Sequence, residues 1–424
     1  MSLIIFGFLA VLCLLGVPVA FSIGLAAVAG IMYRGGLPLT VVDQRMFTQI
    51  DSFALLAIPF FILSGNLMDR GGISNKIVAF VSDLVGHIRG GLAIVSVIAS
   101  MFFGAISGSA QATSAAIGSI LIPAMEENGY KRNFAAALSA VSGPLGVIIP
   151  PSIPMVIYAS AANVSIGKLF LGGYIPGAVI AFGLSLVCIS YAVKNNVAKQ
   201  PRAALGKLAR SFLGSFWALM MVVIIMGGIL GGFFTATEAS VVAVIYALFV
   251  GKFVYRQLKL RDLPAIFLQS ALVTAAVMFC VACTNILGWI LTLERIPAAI
   301  SSAMLALTTD KYLLLILMNV IFLFVGMILD TTPAIILVVP ILLPVVQSIG
   351  IDPIHFGLIT VANLAIGMST PPVGITLFVS SAMSGVPMSR MIRPLIPFWI
   401  IMFLFLVVLT YIPAITMWIP NLVM

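Results

Sequence analysis

The sequence is poor in charge. Of its 424 residues only 8% are Asp, Glu, Lys or Arg, while 62% are hydrophobic; a soluble domain carries about 25% charged residues. That balance excludes a water-soluble globular enzyme. Histidine is nearly absent: His87 and His355 stand singly at the ends of apolar segments and neither suggests a role. The four cysteines, Cys13, Cys188, Cys280 and Cys283, all lie in apolar runs. Cys280 and Cys283 have a redox or metal spacing, but with no second pair and no histidine nearby they read as helix packing. No glycine-rich loop ends in Gly-Lys-Ser/Thr, which argues against an ATP-driven machine in this chain. The opening run MSLIIFGFLAVLCLLGVPVAF lacks the basic flank and cleavage site of a signal peptide, and reads as a first span. The net charge of +9 does not call for nucleic acid, because the basic residues fall in short loops between apolar runs.

What the chain has in abundance is apolar runs that reach or exceed the roughly 20 residues needed to cross a bilayer. It reads as an all-α polytopic membrane protein embedded in the lipid bilayer. Full crossings are expected at 3–32, 53–69, 133–164, 168–193, 212–233, 236–255, 264–293, 355–385 and 395–418. Two apolar stretches, 92–127 and 312–348, carry polar interruptions and read as re-entrant helical hairpins, and 74–88 reads as an amphipathic interfacial helix. Lys194, Lys199, Arg202, Lys207 and Arg210 form one basic loop; Lys252, Arg256, Lys259 and Arg261 form another, two crossings later. Both should be cytoplasmic. Sixteen of the 21 basic residues then lie inside, leaving Arg34, Arg45, Lys168, Arg295 and Lys311 outside. The N-terminus is expected in the cytoplasm and the C-terminus in the periplasm.

Two of the spans contain paired prolines, GVIIPPSIPM at 146–155 and GMSTPPVGIT at 367–376, and Pro150 and Pro371 are 221 residues apart. Sliding the chain by that interval aligns 121–176 with 342–397 without a gap, and ten of 56 positions are identical, including Gly146/Gly367 and both proline pairs. With the topology above the halves are inverted. Residues 1–193 form the first repeat, with hairpin 92–127 and broken helix 133–164. Residues 194–235 supply a basic cytoplasmic loop and a linking helix, and 236–424 form the second repeat, with hairpin 312–348 and broken helix 355–385. A broken helix in lipid leaves unpaired backbone groups and is tolerated only where protein or an aqueous cavity satisfies them. Inverted-repeat transporters bind substrate and ion at such breaks.

The hairpins carry polar tips, AISGSAQATSAA at 105–116 and ILDTTPAI at 328–335, and the 221-residue shift places Ser109 on Asp330. Asp330 is the acid expected deep in the bilayer, where a carboxylate is costly and marks function by default. It is a candidate to contact substrate, to carry a proton or to neutralise cations. Glu238, in TATEAS, sits where a helix begins and reads as a cap.

Six stretches together resemble a known family: LLAIPFFILSGNLM (55–68), SGSAQATSAAIGSILIPAM (107–125), LGVIIPPSIPMVIYA (145–159), LGGYIPG (171–177), TATEA (235–239) and MSTPPVGITLFV (368–379). They are similar to the large membrane subunit of tripartite ATP-independent periplasmic (TRAP) transporters over essentially the whole chain. The resemblance implies a sodium-driven importer of organic acids in the bacterial inner membrane, with an elevator-type transport domain on a scaffold. It also implies a small four-helix membrane subunit, expected here as a separate chain, and a periplasmic substrate-binding protein. By position, a first sodium site would use Ser107, Gly108 and Ser109 with Gly146, Ile149 and Pro150. A second would use Asp330, Thr331 and Thr332 with Gly367, Ser369 and Thr370. At least two sodium ions are expected, with substrate between the tips and Asp330, Ser165 and Arg295 as its candidate contacts.

A channel would need a continuous polar path, whereas polar groups here gather at two symmetric tips and breaks. Proton coupling through Asp330 is the rival within transport, but few titratable groups are at hand to relay a proton. No Lys or Arg is expected in the core, which suits a hydroxyl-rich monocarboxylate such as sialic acid; a C4-dicarboxylate is the alternative.

Overall fold

The computed structural model describes residues 2–308 and 310–423, and among these no strand occurs. Among the described residues eight helices are long and apolar enough to cross a membrane, or nine with the bent pair Arg132–Ile148 and Ile153–Ala162. The chain is an all-α polytopic membrane protein. Its first run, however, is two helices. Gly16, at φ 80°, and Pro18 divide it into α1 (Ser2–Leu14) and α2 (Val19–Arg34), which pack against each other. Proline has no N–H to extend the ladder, and glycine takes the left-handed turn without a steric cost. With 13 and 16 residues, neither is long enough for a straight crossing. The expected span 3–32 is corrected to a helix pair.

After α3 (Thr40–Ile50), α4 (Ala57–Arg70) and α5 (Ile73–Val85), the first hairpin is built from α6 (Gly91–Ser107) and α7 (Ala110–Glu127). The first broken helix comprises α8 (Arg132–Ser142), α9 (Leu145–Ile148) and α10 (Ile153–Ala162), bent by 44°. Then come α11 (Ile166–Lys194), α12 (Leu205–Leu230), α13 (Ala236–Phe249), α14 (Leu263–Leu293) and α15 (Ile296–Leu307). The second hairpin is α16 (Lys311–Ile328) and α17 (Thr331–Ser348); the second broken helix is α18 (Pro353–Gly367) and α19 (Ile375–Ser384). The chain continues through α20 (Met388–Tyr411) and α21 (Ala414–Val423).

Shifted by 221 residues, α7 falls on α17 end for end, and α4 falls within α14. Packing repeats in the same way. The second segment of each broken helix lies on the hairpin of the other half, α10 on α17 and α19 on α7, while α4 packs on α13 as α14 packs on α2. The two halves therefore interlock around one centre.

The breaks share a chemical solution. Paired prolines remove the N–H groups that Val147 and Met368 would bond four residues on. A side chain replaces each: Ser152 Oγ donates to the Val147 carbonyl at 2.6 Å, and Thr376 Oγ1 donates to the Met368 carbonyl at 2.8 Å. In both breaks the Pro–Pro peptide is cis.

Two further expectations change. The apolar side of α5 (Ile73, Ile77, Val81) is buried, packing on α6 and α12, and Asp83 pairs with Lys207 at 2.9 Å. An amphipathic pattern requires an apolar partner, and here protein supplies it. At the other end, the span 395–418 stops at Tyr411, because Pro413 interrupts the ladder. Beyond it α21 turns to pack on α11 and α18. Helix α3, too polar to stand out as a span, is tied to α14 by a Gln49–Asn285 hydrogen bond and by Arg45 lying 5.1 Å from the Trp289 ring centroid. Just beyond α14, Glu294 pairs with Arg34 of α2 at 2.9 Å.

Candidate functional site

Both hairpin tips open into one cavity of about 480 Å³, within the range of about 300–1,000 Å³ typical of small-molecule sites. At the first tip α6 ends on Gly108, whose φ of 62° suits glycine and whose N–H bonds the Gly104 carbonyl at 2.8 Å. Ser109 then caps α7: its Oγ accepts from the Ala112 N–H at 3.3 Å and donates to Gln111 Oε1 at 3.1 Å. Behind it Thr113 Oγ1 lies 3.1 Å from Ser107 Oγ and donates to the Ser109 carbonyl at 2.7 Å. The reversal takes two residues.

At the second tip Asp330 caps α17. Its Oδ1 accepts from the Thr331 N–H at 2.6 Å and from Thr331 Oγ1 at 3.2 Å, and Gln111 of the first hairpin lines the same cavity. Two helices thus direct their N-termini at the cavity. Each such end carries roughly half a positive charge and favours an anion. The groups at the tips that can meet a cation are all oxygens: the hydroxyls of Ser107, Ser109, Thr331 and Thr332, and the Asp330 carboxylate. Such a set fits a hard cation such as sodium.

Walls come from α4 and α14. Gly65 lets α4 approach tip one, since a Cβ there would sit 3.3 Å from Ser107 Cα. Asn66 faces the cavity and donates to Ser270 Oγ at 2.8 Å, and Gln269 faces it from α14. Among the described residues that line the cavity there is no Lys or Arg.

Six sequence candidates meet at this cavity: Ser107, Gly108, Ser109, Asp330, Thr331 and Thr332. Gly146 is buried behind tip one, where a Cβ would come 2.8 Å from the Ser109 carbonyl oxygen. Ile149 and Pro150 are buried against Gly177 and Gly173 of α11. Gly367, Ser369 and Thr370 are buried beside the second tip without lining the cavity. The hydroxyls of Ser369 and Thr370 donate to the Ile366 carbonyl at 2.8 and 2.9 Å, and the Ser369 carbonyl accepts from Trp399 Nε1 at 2.9 Å.

Ser165 and Arg295 lie elsewhere. Exposed Ser165 caps α11, accepting from the Lys168 N–H at 3.3 Å, and exposed Arg295 sits at φ 54° before α15. Sequence reasoning missed Asn66, Gln111 and Gln269. Their signal was available: an amide within an apolar span is costly unless paired.

Other singled-out residues are structural. Glu238 forms a capping box, accepting from the Thr235 N–H at 2.8 Å. His355 Nδ1 lies 2.7 Å from Thr416 Oγ1, joining α18 to α21. Cys283 packs where α14 crosses α2, and a Cβ on Gly24 would come 2.9 Å from its Sγ.

Interlocked halves, paired hairpins and a shared cavity define a membrane transport protein built from a duplicated unit. The family described as "Tripartite ATP-independent periplasmic transporter, DctM component" matches residues 6–415, and the chain belongs to it. It is 43% identical over 422 residues to an isethionate TRAP transporter permease, DctMQ, of Oleidesulfovibrio alaskensis, matching 98% of this chain and 65% of that longer one. It is 41% identical to the C4-dicarboxylate large permease DctM of Pseudomonas aeruginosa, over 94% of each chain. It is 37% identical to the sialic acid large permease SiaM of Vibrio cholerae, over 99% of this chain and 98% of that one. In fold it is similar to the YdaH transporter of Alcanivorax borkumensis, with a TM-score of 0.60, 15% identity and 88% coverage of both chains. These relatives are named as transporters or permeases, and the chain is a transporter subunit rather than an enzyme.

Proposed function

We propose that this chain imports an organic acid across the bacterial inner membrane, driven by sodium. In this reading it works with a small four-helix membrane component and a periplasmic substrate-binding protein. The observation that carries the reading is the meeting of both hairpin tips, with two helix N-termini and Asp330, at one cavity. The N-termini suit a substrate carboxylate, while the tip hydroxyls and Asp330 suit sodium. The hairpins and broken helices move as one elevator-type body against a scaffold that includes α12 and α13. The two halves are inverted with respect to each other, and both basic loops lie in the cytoplasm.

The substrate we favour is a hydroxyl-rich monocarboxylate such as sialic acid. A lining of amides, hydroxyls and one carboxylate, without Lys or Arg, offers many hydrogen bonds but little positive charge. The relatives named for C4-dicarboxylates support a second reading, in which bound sodium offsets the extra charge.

Uptake of labelled sialic acid and succinate into vesicles containing the assembled transporter decides between them. The expected result is sialic acid uptake that needs a sodium gradient and the binding protein and ignores an imposed pH gradient. Succinate uptake alone would select the second substrate. Uptake that follows pH at fixed sodium would overturn sodium coupling.

A further inference from the structure

Away from the transport cavity, the chain builds a second concavity of about 420 Å³ where α13 runs into the 252–261 basic loop. Ile245, Phe249 and Phe253 recur every four residues and are exposed along one side. The Phe249 and Phe253 ring centroids are 5.6 Å apart. The helix widens into a π turn over Val250–Val254, and Arg256 at φ 55° reverses the chain. The N–H groups of Gln257 and Leu258 both bond the Gly251 carbonyl at 3.1 Å. This return tucks Leu258 under the end of α13 as a buried floor, with Leu263 as the facing wall. Lys252 and Lys259 are left lining the same groove, one on each side of the reversal.

We propose that this groove holds an anionic phospholipid, with its phosphate between Lys252 and Lys259 and an acyl chain along the Phe249–Phe253 face. Charge complementarity favours that occupant. Lys252 and Lys259 line the groove, and Arg256 and Arg261 belong to the same loop. The neighbouring acid is Asp262, which accepts from the Lys259 N–H at 3.3 Å and lies 3.9 Å from Arg261. A soluble anion would leave the aromatic face uncovered, and a zwitterionic headgroup would leave the lysines unbalanced. Basic grooves beside apolar helix surfaces suit anionic headgroups for this reason.

The test uses this chain purified in detergent together with its small membrane component and offered equimolar phosphatidylglycerol and phosphatidylethanolamine, with retained lipid counted by native mass spectrometry. Wild type should keep phosphatidylglycerol in preference, and added inorganic phosphate should not displace it. Each lysine near an anionic surface contributes roughly a factor of five, so Lys252→Ala with Lys259→Ala should weaken retention roughly 30-fold. The same pair changed to Arg should keep the lipid, as should Lys199→Ala with Arg202→Ala in the other basic loop. Equal retention of the two lipids by wild type, or unchanged phosphatidylglycerol in the double alanine variant, overturns the site. So does loss of the small membrane subunit from that variant with lipid unchanged, which would make the groove a protein interface.

Discussion

Gly104 of α6 and Gly146 of the first broken helix meet backbone to backbone, so close that a Cβ on Gly104 would fall on Gly146. Gly326 and Gly367 repeat the arrangement in the second half, where a Cβ on Gly326 would lie 3.3 Å from Gly367 Cα. In lipid, helix association rests on close packing, and small residues permit it. Each hairpin is thereby keyed to its own broken helix.

Gly367→Ala should damage this joint. The added methyl would sit 2.7 Å from the Gly326 carbonyl carbon, and overpacking typically costs about 1–3 kcal/mol. A lower unfolding temperature of the purified protein is expected, together with weaker uptake. Wild-type values in both measurements would show that the joint yields freely.

Asp330→Asn keeps the size of the side chain but removes its charge and weakens its acceptance from Thr331. Expression and assembly should be normal. Uptake should fall roughly tenfold or more, because a hydrogen bond to a charged group is worth about 1.5–3 kcal/mol. Near-normal uptake would leave Asp330 as a half-buried cap of α17.

Ser107→Ala and Thr332→Ala each remove a hydroxyl from the tips. Both should raise the sodium concentration for half-maximal uptake, by an amount equivalent to about 1–3 kcal/mol. Ser165→Ala is the contrast: loss of a helix cap should cost about 1 kcal/mol of stability with the sodium dependence unmoved. Sodium curves that coincide for wild type and both tip variants would remove sodium from the tips.

Cysteines introduced at 199 and 257 should label from the cytoplasm, and those at 168 and 311 from the periplasm. Labelling of 199 and 257 from opposite faces would break the inverted arrangement.

The hairpins and breaks were readable because their signals are covalent or polar. Paired prolines cannot sit in an unbroken helix, and Ser-Gly-Ser or Asp-Thr-Thr interrupts an otherwise apolar run. Gly16 and Pro18 carried the same kind of signal, but a lone proline in an apolar run also fits a kinked span. Ser165 lies away from the cavity as a helix cap, and a capping serine and a ligand serine look alike until the helix start is known. Asn66 and Gln269 had no periodic partner, and their convergence depends on how α4 and α14 fold around the tips. Helix α15 left no separate mark, because it continues the apolar character of α14 after a turn at Glu294 and Arg295.

The two breaks share a proline pattern yet occupy different surroundings. Pro150 and Pro151 are buried, whereas Pro372 and Val373 are exposed. Equivalent segments therefore display two environments within one snapshot. If each half adopted the surroundings of its counterpart, the exposed break would close and the buried one would open on the opposite side of the membrane. Under the inverted arrangement proposed above, the first half would be a template for the conformation that the second half takes at the other end of the transport cycle, and the second half a template for the first.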